Sequence, residues 1–592
     1  MAIAHPAAPF VLIDDARPGS AAARLYTRPA AIIAAYSQAE VRPVLAAARA
    51  AIHGGREIAG FLSYEAGAAL EPSAATSHEA PTPLVWFGVF DGHAAVSDVA
   101  ALLPDPAGAR ITPPIPDVTR ADYDAMLAQV SDLIRAGDIY QANLTFRAAV
   151  PFLGDPLALY AAVRGRAQAG WGGIVATGEE TLLSFSPELF FQLADGTLVC
   201  RPMKGTARRE QDPAQDAAAA EALAADEKQR AENLMIVDLM RNDLSRVAVA
   251  GSVAVPRLFE VEHFPTVHQM TSTVTAELAA GKDAIDVLEA LFPCGSITGA
   301  PKVRAMQVIG DVEKGPRGAY TGSIGYLAED EAQFNVAIRT LLVHPGEQRA
   351  TLGLGGGIVA DSQPDAEWDE ALAKGVFLTH GQHDPDLIET MRFDPAEGIL
   401  LIERHLARMR DSAAALGYRF DRHDARNELQ AATFRLRHPA RVRLLAARAG
   451  GIAIEVAPLP AAREAALRTV IVPLPVATHD YRLRHKTSDR AFYDAARRAS
   501  GMDEVVFVDP DGFVTEGSFT NVFVARDGRL LTPPSRRGLL PGVLRAELLE
   551  SGRAVEHDLR ADDLCGGFFL GNALRGLMPA IVAVATSDAG SL

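Results

Sequence analysis

Arg201-Pro202-Met203-Lys204-Gly205-Thr206 follows Ser186-Pro187-Glu188 on one expected β-hairpin, and how these two segments are read decides how the whole chain is read. A lysine is a poor nucleophile while protonated, but in a shielded, electrostatically tuned pocket it can attack carbon. A carboxylic acid beside it can protonate a departing hydroxyl. Taken alone, the two segments fit an exposed strand lysine and a strand-end glutamate better than a catalytic pair. The decision rests on what surrounds them.

Working outward, further segments fall in order: Glu232 to Leu239, Arg241-Asn242-Asp243, Gly295-Ser296-Ile297-Thr298-Gly299-Ala300-Pro301-Lys302, and Asp361 to Lys374. With the first two segments, this set resembles the chorismate-utilising enzymes. That family includes anthranilate, isochorismate and salicylate synthases and aminodeoxychorismate synthase component I. A lysine inside Pro-x-Lys-Gly-Thr resembles the last of these, since anthranilate synthases usually carry alanine there.

Length and composition set limits on function. At 592 residues, two or more cores are expected. The 48% hydrophobic and 22% charged content describes a globular protein, and a net charge of −17 argues against nucleic-acid binding. Cys200, Cys294 and Cys565 are odd in number and form no C-x-x-C pair, which disfavours a disulfide framework or a zinc cluster. Met1 to Asp15 has no basic stretch leading into an apolar run, and no membrane-length apolar segment occurs. A cytoplasmic protein with no membrane partner is the expectation.

Thr119 to Ala136 has helical spacing at Tyr123, Met126, Leu127, Val130 and Leu133, Asp138 to Phe146 alternates like a strand, and alanine-rich Ala214 to Leu239 predicts one helix. The polar run Thr379 to Asp386 predicts a boundary: a first domain over 1–379, a linker over 380–386, and a second domain over 387–592. His380 and His383 read as solvated linker residues. Leu387 to Arg392 then predicts a strand and Ile402 to Leu416 a helix.

In the first half, Glu367 and Glu370 share a helix face at i, i+3, and Glu232 lies on another expected helix. Carboxylates converging on one point repel unless a cation sits between them, and hard oxygen donors suit Mg²⁺; two solvated helix faces are the alternative. The resemblance implies that these three glutamates hold Mg²⁺ against the ring carboxylate of chorismate. The family often has an acid three residues before Glu232, where this chain has Gln229, which leaves the outer shell open. Gly353-Leu354-Gly355-Gly356-Gly357 lets backbone N–H groups approach an anion, but Ile358 breaks the G-x-G-x-x-G pattern. The resemblance further implies that Thr298, Tyr320, Arg339, Gly355, Gly356 and Lys374 grip the substrate's enolpyruvyl carboxylate. It places His268, in Thr266-Val267-His268-Gln269, near the reacting carbon. Lys204 would attack ring C2 while Glu188 protonates the leaving 4-hydroxyl; ammonia would then displace Lys204 by adding at C4. No cysteine sits in a Gly-x-Cys-x-Gly turn, so ammonia is expected free or from a glutamine amidotransferase subunit.

The second half resembles the class IV pyridoxal-phosphate enzymes through Glu389-Thr390-Met391-Arg392, His405-Leu406-Ala407-Arg408, His485 to Arg490, Thr515 to Asn521 and Leu540 to Arg545. The resemblance implies that Lys486 carries pyridoxal 5'-phosphate, Glu516 pairs with its ring nitrogen, and Arg408 with Gly542-Val543 holds its phosphate. A homodimer through this domain is one expectation. Class IV aminotransferases share these motifs; the fusion favours aminodeoxychorismate lyase. The fold expected is α+β throughout: a two-sheet sandwich with flanking helices, then a two-subdomain class IV domain. The function expected is two-step 4-aminobenzoate synthesis for folate. The rivals are an anthranilate or salicylate synthase fused to a class IV aminotransferase, and a non-catalytic regulatory chorismate-binding subunit.

Overall fold

The computed structural model describes residues 7–74, 82–264, 267–463 and 465–583; the first six residues and Thr266, read above, lie outside them. The chain forms two compact units, both mixed α+β. The first comprises Met1–Leu103, Pro113–Phe152 and Tyr160–Gly381; the second comprises Pro104–Thr112, Leu153–Leu159 and Gln382–Leu592.

The first unit holds two large sheets of eleven and ten strands. Val11, Tyr26, Val175 and Leu182 of one sheet share a buried cluster with Phe61, Trp86, Ile324 and Tyr326 of the other, so the two sheets pack on a common core. In the first sheet, Gln141–Leu153 pairs antiparallel with the glycine-rich strand Arg349–Ile358, with Gly355 opposite Thr145 and Gly357 opposite Asn143. In the second, Met203–Arg208 pairs with Val267–Glu277, and the register shifts between Met203 and Thr206. Such an irregularity re-aims a side chain. Here it falls on Lys204 and on Gly205, whose φ of +87° favours glycine.

The expected helix Thr119 to Ala136 forms over Arg120–Ala136. Thr119 caps it by accepting from the Asp122 N–H, and Gly137 at φ +82° ends it. The expected single helix Ala214 to Leu239 is instead two, Pro213–Ala225 and Glu227–Ser245. Asp226 breaks it: its backbone is extended, and its carboxylate accepts the Gln229 N–H, starting a new helix. Alanine content reports propensity and misses this local competition for N–H groups. The second helix buries Asn233, Ile236, Val237, Met240 and Leu244. Each fully buried apolar side chain there stabilises by about 1.5–3 kcal/mol, which fixes the helix face carrying Glu232.

In the second unit the strand forms over Leu387–Asp394 and the helix over Ile402–Leu416, as the pattern predicts. Leu387, Met391 and Phe393 pack on Leu406, Met409 and Ala413 in one core. A four-stranded sheet contains the first of these elements. A separate eight-stranded sheet turns back on itself through an added pairing of Val514–Gly517 with Asn521–Arg526, giving a barrel-like closure with its own core. No helix among the described residues is long and apolar enough to cross a membrane.

Candidate functional site

In the first unit, Glu188 follows a loop closed by Ser186, whose hydroxyl donates to the Val336 carbonyl at 2.5 Å. Glu188 is buried, and Ser296 Oγ donates to its Oε1 at 2.7 Å. Burial pushes the carboxyl up to about 7, while the Ser296 hydrogen bond and the charge of Lys204 pull it down. A carboxyl poised there can give up a proton at neutral pH. Lys204 is half-buried. Burial and then the neighbouring Lys374 lower its ammonium pKa, against the attraction of Glu232, Glu188 and Glu370.

The glycine strand lets these groups close in. A Cβ at Gly357 would stand 2.9 Å from both Lys204 Nζ and Gln141 Nε2. One at Gly356 would stand 3.4 Å from Lys374 Nζ and 3.5 and 3.7 Å from carboxylate oxygens of Glu367 and Glu370. Gly357→Ala therefore crowds Lys204, and the glycines serve close approach to side chains as well as to an anion. Lys374 Nζ donates to the Gly355 carbonyl and pairs with Glu370, each at 2.8 Å.

The structure thus gathers Lys204, Glu188, Gly355, Gly356, Lys374, Glu367 and Glu370, with Glu232 acting on Lys204 from its helix. Burial, and then mutual repulsion, raise the Glu232 carboxyl; Glu367 is raised mainly by burial, against a 2.6 Å hydrogen bond from Ser362. Lys374 holds Glu370 below its usual value. Among the described residues no three such donors are close enough to form a metal shell. Their carboxylate oxygens are nevertheless the hard donors a divalent cation such as Mg²⁺ takes, although Lys204 and Lys228 already offset part of the charge on Glu232. Gln229, at the position where the family often has an acid, packs its side chain over Gly205, so it supports the Lys204 strand.

Arg339 lies at φ +49°, with its guanidinium 5.7 Å from the Phe377 ring centroid, and burial lowers its pKa to about 10. No carboxylate pairs with it among the described ion pairs, so it suits an incoming carboxylate. The Tyr320 ring covers Gly353, where a Cβ would stand 2.1 Å away, and it borders a cavity of about 290 Å³ with Thr145, Glu313 and Arg317. The Thr298 hydroxyl donates to the Cys294 carbonyl at 2.8 Å and so supports the turn. His268 is engaged elsewhere: Nε2 meets Asp216 at 2.9 Å and Nδ1 meets His263 at 2.7 Å, and no described contact joins it to Lys204 or Glu188. Lys302 pairs with Asp243 at 2.5 Å, giving two of the motif residues a structural task.

Sequence reasoning missed Gln141. It is wholly buried, neither atom of its amide has a protein partner, and it lies beside Lys204. A buried unpaired amide costs stability unless a ligand or water completes it. The only sequence signal was a polar residue starting an apolar strand.

In the second unit, Lys486 is held where the Ile388 N–H donates to its carbonyl at 2.8 Å. Burial lowers its ammonium to about 7; Glu389 opposes this, and Arg408, Arg490 and Arg443 reinforce it. Glu389, also missed, is buried inside a strand. Burial alone would raise it, but Arg408 and His405 hold it well below the usual carboxylate range. Arg408 meets it through two hydrogen bonds of 2.8 and 2.7 Å and donates to the Pro541 carbonyl at 3.1 Å, beside Gly542. Glu516 accepts from the Tyr493 hydroxyl and from the Leu540 N–H at 3.0 Å, and burial pushes it up to about 7. The helix Val543–Glu550 starts at Gly542, where a Cβ would stand 2.0 Å from Asn521 Oδ1.

His405 Nε2, Thr487 Oγ1 and Arg490 Nη1 are buried without a protein partner. On the sheet, Arg392 lies directly opposite Arg441, and Arg443 shares their face. Like charges in that register repel; Glu455 answers Arg443 at 3.5 Å, and Arg392 and Arg441 have no described ion pair. The donor set and the lysine's depressed basicity fit pyridoxal phosphate.

Residues 8–380 match the family described as chorismate binding enzyme, and residues 386–581 match amino-transferase class IV. Aminodeoxychorismate synthase component 1 of Klebsiella aerogenes is 46% identical over 265 residues, 45% of this chain and 58% of that protein. Anthranilate synthase component 1 of Thermus thermophilus is 41% identical over 263 residues, 44% of this chain and 56% of that protein. The chain thus spans 56–58% of the length of these curated relatives. The crystal structure of anthranilate synthase component I from Streptococcus pneumoniae matches with a TM-score of 0.54 at 26% identity, over 61% of this chain and 93% of that one.

Proposed function

The chain belongs to the chorismate binding enzymes and carries a class IV aminotransferase domain after that region, and on this premise we propose that it makes 4-aminobenzoate, a folate precursor, in two steps. The observation that carries the reading is Lys204, half-buried beside the glycine strand and electrostatically coupled to the buried acid Glu188. In the first step Lys204 Nζ bonds to ring C2 of chorismate, the ring double bonds shift, and the C4–O bond breaks. Glu188 gives its proton to the departing hydroxyl, which leaves as water. Ammonia then bonds to C4 and loses a proton as Lys204 departs from C2, leaving 4-amino-4-deoxychorismate. Arg339 and Lys374 orient the substrate by its carboxylates. Glu232, Glu367 and Glu370 would hold Mg²⁺, whose charge when bound balances theirs against a substrate carboxylate. The ammonia comes from a separate glutamine amidotransferase: Cys200 and Cys294 are buried, burial pushes the Cys294 thiol up to about 12, and the exposed Cys565 has the Ala561 carbonyl rather than a histidine as its described partner, which disfavours a glutaminase thiolate.

In the second step Arg408 and the helix start at Gly542-Val543 would hold the phosphate of pyridoxal 5'-phosphate, and Glu516 its ring nitrogen. When bound, that cofactor supplies an electron sink. Lys486 removes the C4 proton of the substrate, the C3–O bond breaks, and enolpyruvate leaves and tautomerises to pyruvate. The arginine-bearing sheet face suits a substrate with two carboxylates better than an apolar amino acid.

Chromatography of the full chain with chorismate, an ammonium salt, Mg²⁺ and pyridoxal phosphate tests this reading; 4-aminobenzoate and pyruvate are expected. Anthranilate or salicylate as product, or amino transfer to 2-oxo acids without pyruvate release, would overturn it. Chelation by EDTA should stop chorismate consumption and leave the second half-reaction intact when aminodeoxychorismate is supplied. The active form has Glu188 protonated and Lys204 neutral, so the first half-reaction at fixed free ammonia should show a two-sided pH profile, with loss of the Glu188 proton, near 7, setting the alkaline limb. Glu188→Gln should cost ~10²–10⁴ in that rate and flatten that limb.

A further inference from the structure

Glu504 opens the strand Glu504–Val508 and is completely buried. It has no described ion pair, yet five donors converge on it. Its Oε1 accepts from Val505 N at 2.9 Å, Ser518 N at 3.0 Å and Ser518 Oγ at 2.6 Å; its Oε2 accepts from Phe519 N and Thr520 Oγ1, each at 3.3 Å. Four of the five donors belong to the turn that follows Glu516. Gly517 makes the turn tight, since a Cβ there would stand 2.4 Å from Thr520 Oγ1 and 3.3 Å from Glu504 Cδ.

That turn joins both ends of the candidate cofactor cradle. Before it lies Glu516, bonded to Tyr493 and the Leu540 N–H. After it lies Asn521, which pairs with Glu516 across the barrel-like sheet, donates to the Leu540 carbonyl at 2.9 Å and stands against Gly542. We propose that Glu504 is a positioning residue: by clamping Ser518-Phe519-Thr520 it sets Glu516 and the Gly542–Val543 helix start at one spacing, so that a phosphorylated pyridine ring is gripped at its nitrogen and its phosphate together. Glu504 makes no described hydrogen bond to Glu516 or to Gly542. This rests on the reading of the second unit as a pyridoxal phosphate site.

The test uses the full chain with two substitutions. Glu504→Gln keeps the shape but turns an amide NH₂ toward the N–H and O–H donors; Ser518→Ala removes one hydroxyl donor and is the milder change. Hydrogen exchange on cofactor-free protein reads the turn, and absorbance titration with pyridoxal phosphate reads the grip. Exchange at the Ser518 and Phe519 amides should quicken at least about tenfold in Glu504→Gln, with affinity falling by a similar factor. Ser518→Ala should lose about two- to tenfold, the range for one hydrogen bond. Conversion of chorismate to aminodeoxychorismate should be unchanged in both. The proposal is overturned if exchange and affinity match the wild type, or if exchange quickens throughout the second unit and its melting temperature falls in step with affinity. Wild-type protein that takes up no pyridoxal phosphate refutes the underlying site instead, whereas wild-type uptake with unaffected variants refutes the role of Glu504 alone.

Discussion

Lys204→Ala should leave chorismate and ammonia unconverted while the second half-reaction proceeds at the wild-type rate when aminodeoxychorismate is supplied. Intramolecular placement of a reacting group lowers a barrier by about 7–11 kcal/mol, so without Lys204 the residual rate should lie at the assay floor. The variant should fold, because Lys204 is half-buried, sits at a register irregularity, and donates no described hydrogen bond whose loss would leave a buried acceptor unpaired. Chromatography of both half-reactions reads the result. Full synthase activity in the variant would end the covalent route and leave Glu188 and the substrate-binding groups as the only catalysts.

Lys486→Ala should show the opposite split, accumulating aminodeoxychorismate from chorismate and ammonia and releasing no 4-aminobenzoate. Desolvation, reinforced by the charges of Arg408, Arg490 and Arg443, lowers the half-buried lysine to about 7, so it can act as a base, and no other described lysine is shown beside Glu389. Borohydride treatment of the wild type with pyridoxal phosphate should attach the cofactor to Lys486 as read by peptide mass mapping. Attachment at a different lysine would refute the assignment.

Several elements were legible because their causes are local. The helix after Thr119 announces itself by a capping threonine, apolar spacing and a terminal glycine within one short segment. The strand and helix at 387–394 and 402–416 follow from alternation and from i, i+3, i+4 periodicity. The break at Asp226 was not legible, since one carboxylate overrode the helix propensity of a run of alanines. Thr298 and His268, assigned to substrate by resemblance, have described hydrogen bonds to the protein itself.

By itself the sequence determined the chemical inventory: a lysine and a glutamate in successive motifs, paired glutamates on one helix face, and a second lysine among arginines; the expected hairpin does not join the first pair, since Lys204 lies on a further strand paired with Val267–Glu277. These are matters of residue type and short spacing. Only the tertiary structure decided which groups are desolvated and what answers them. Ser296 reaches Glu188 across 108 positions, Arg408 clamps Glu389 across 19, and the turn clamped by Glu504 lies 14 to 16 residues away. Gln141 stands beside Lys204 only because two strands place it there. Burial and charge proximity set whether a carboxyl holds its proton at pH 7 and whether a lysine is a base. Both depend on distance in space between residues far apart in the chain, and linear spacing carries no record of that distance.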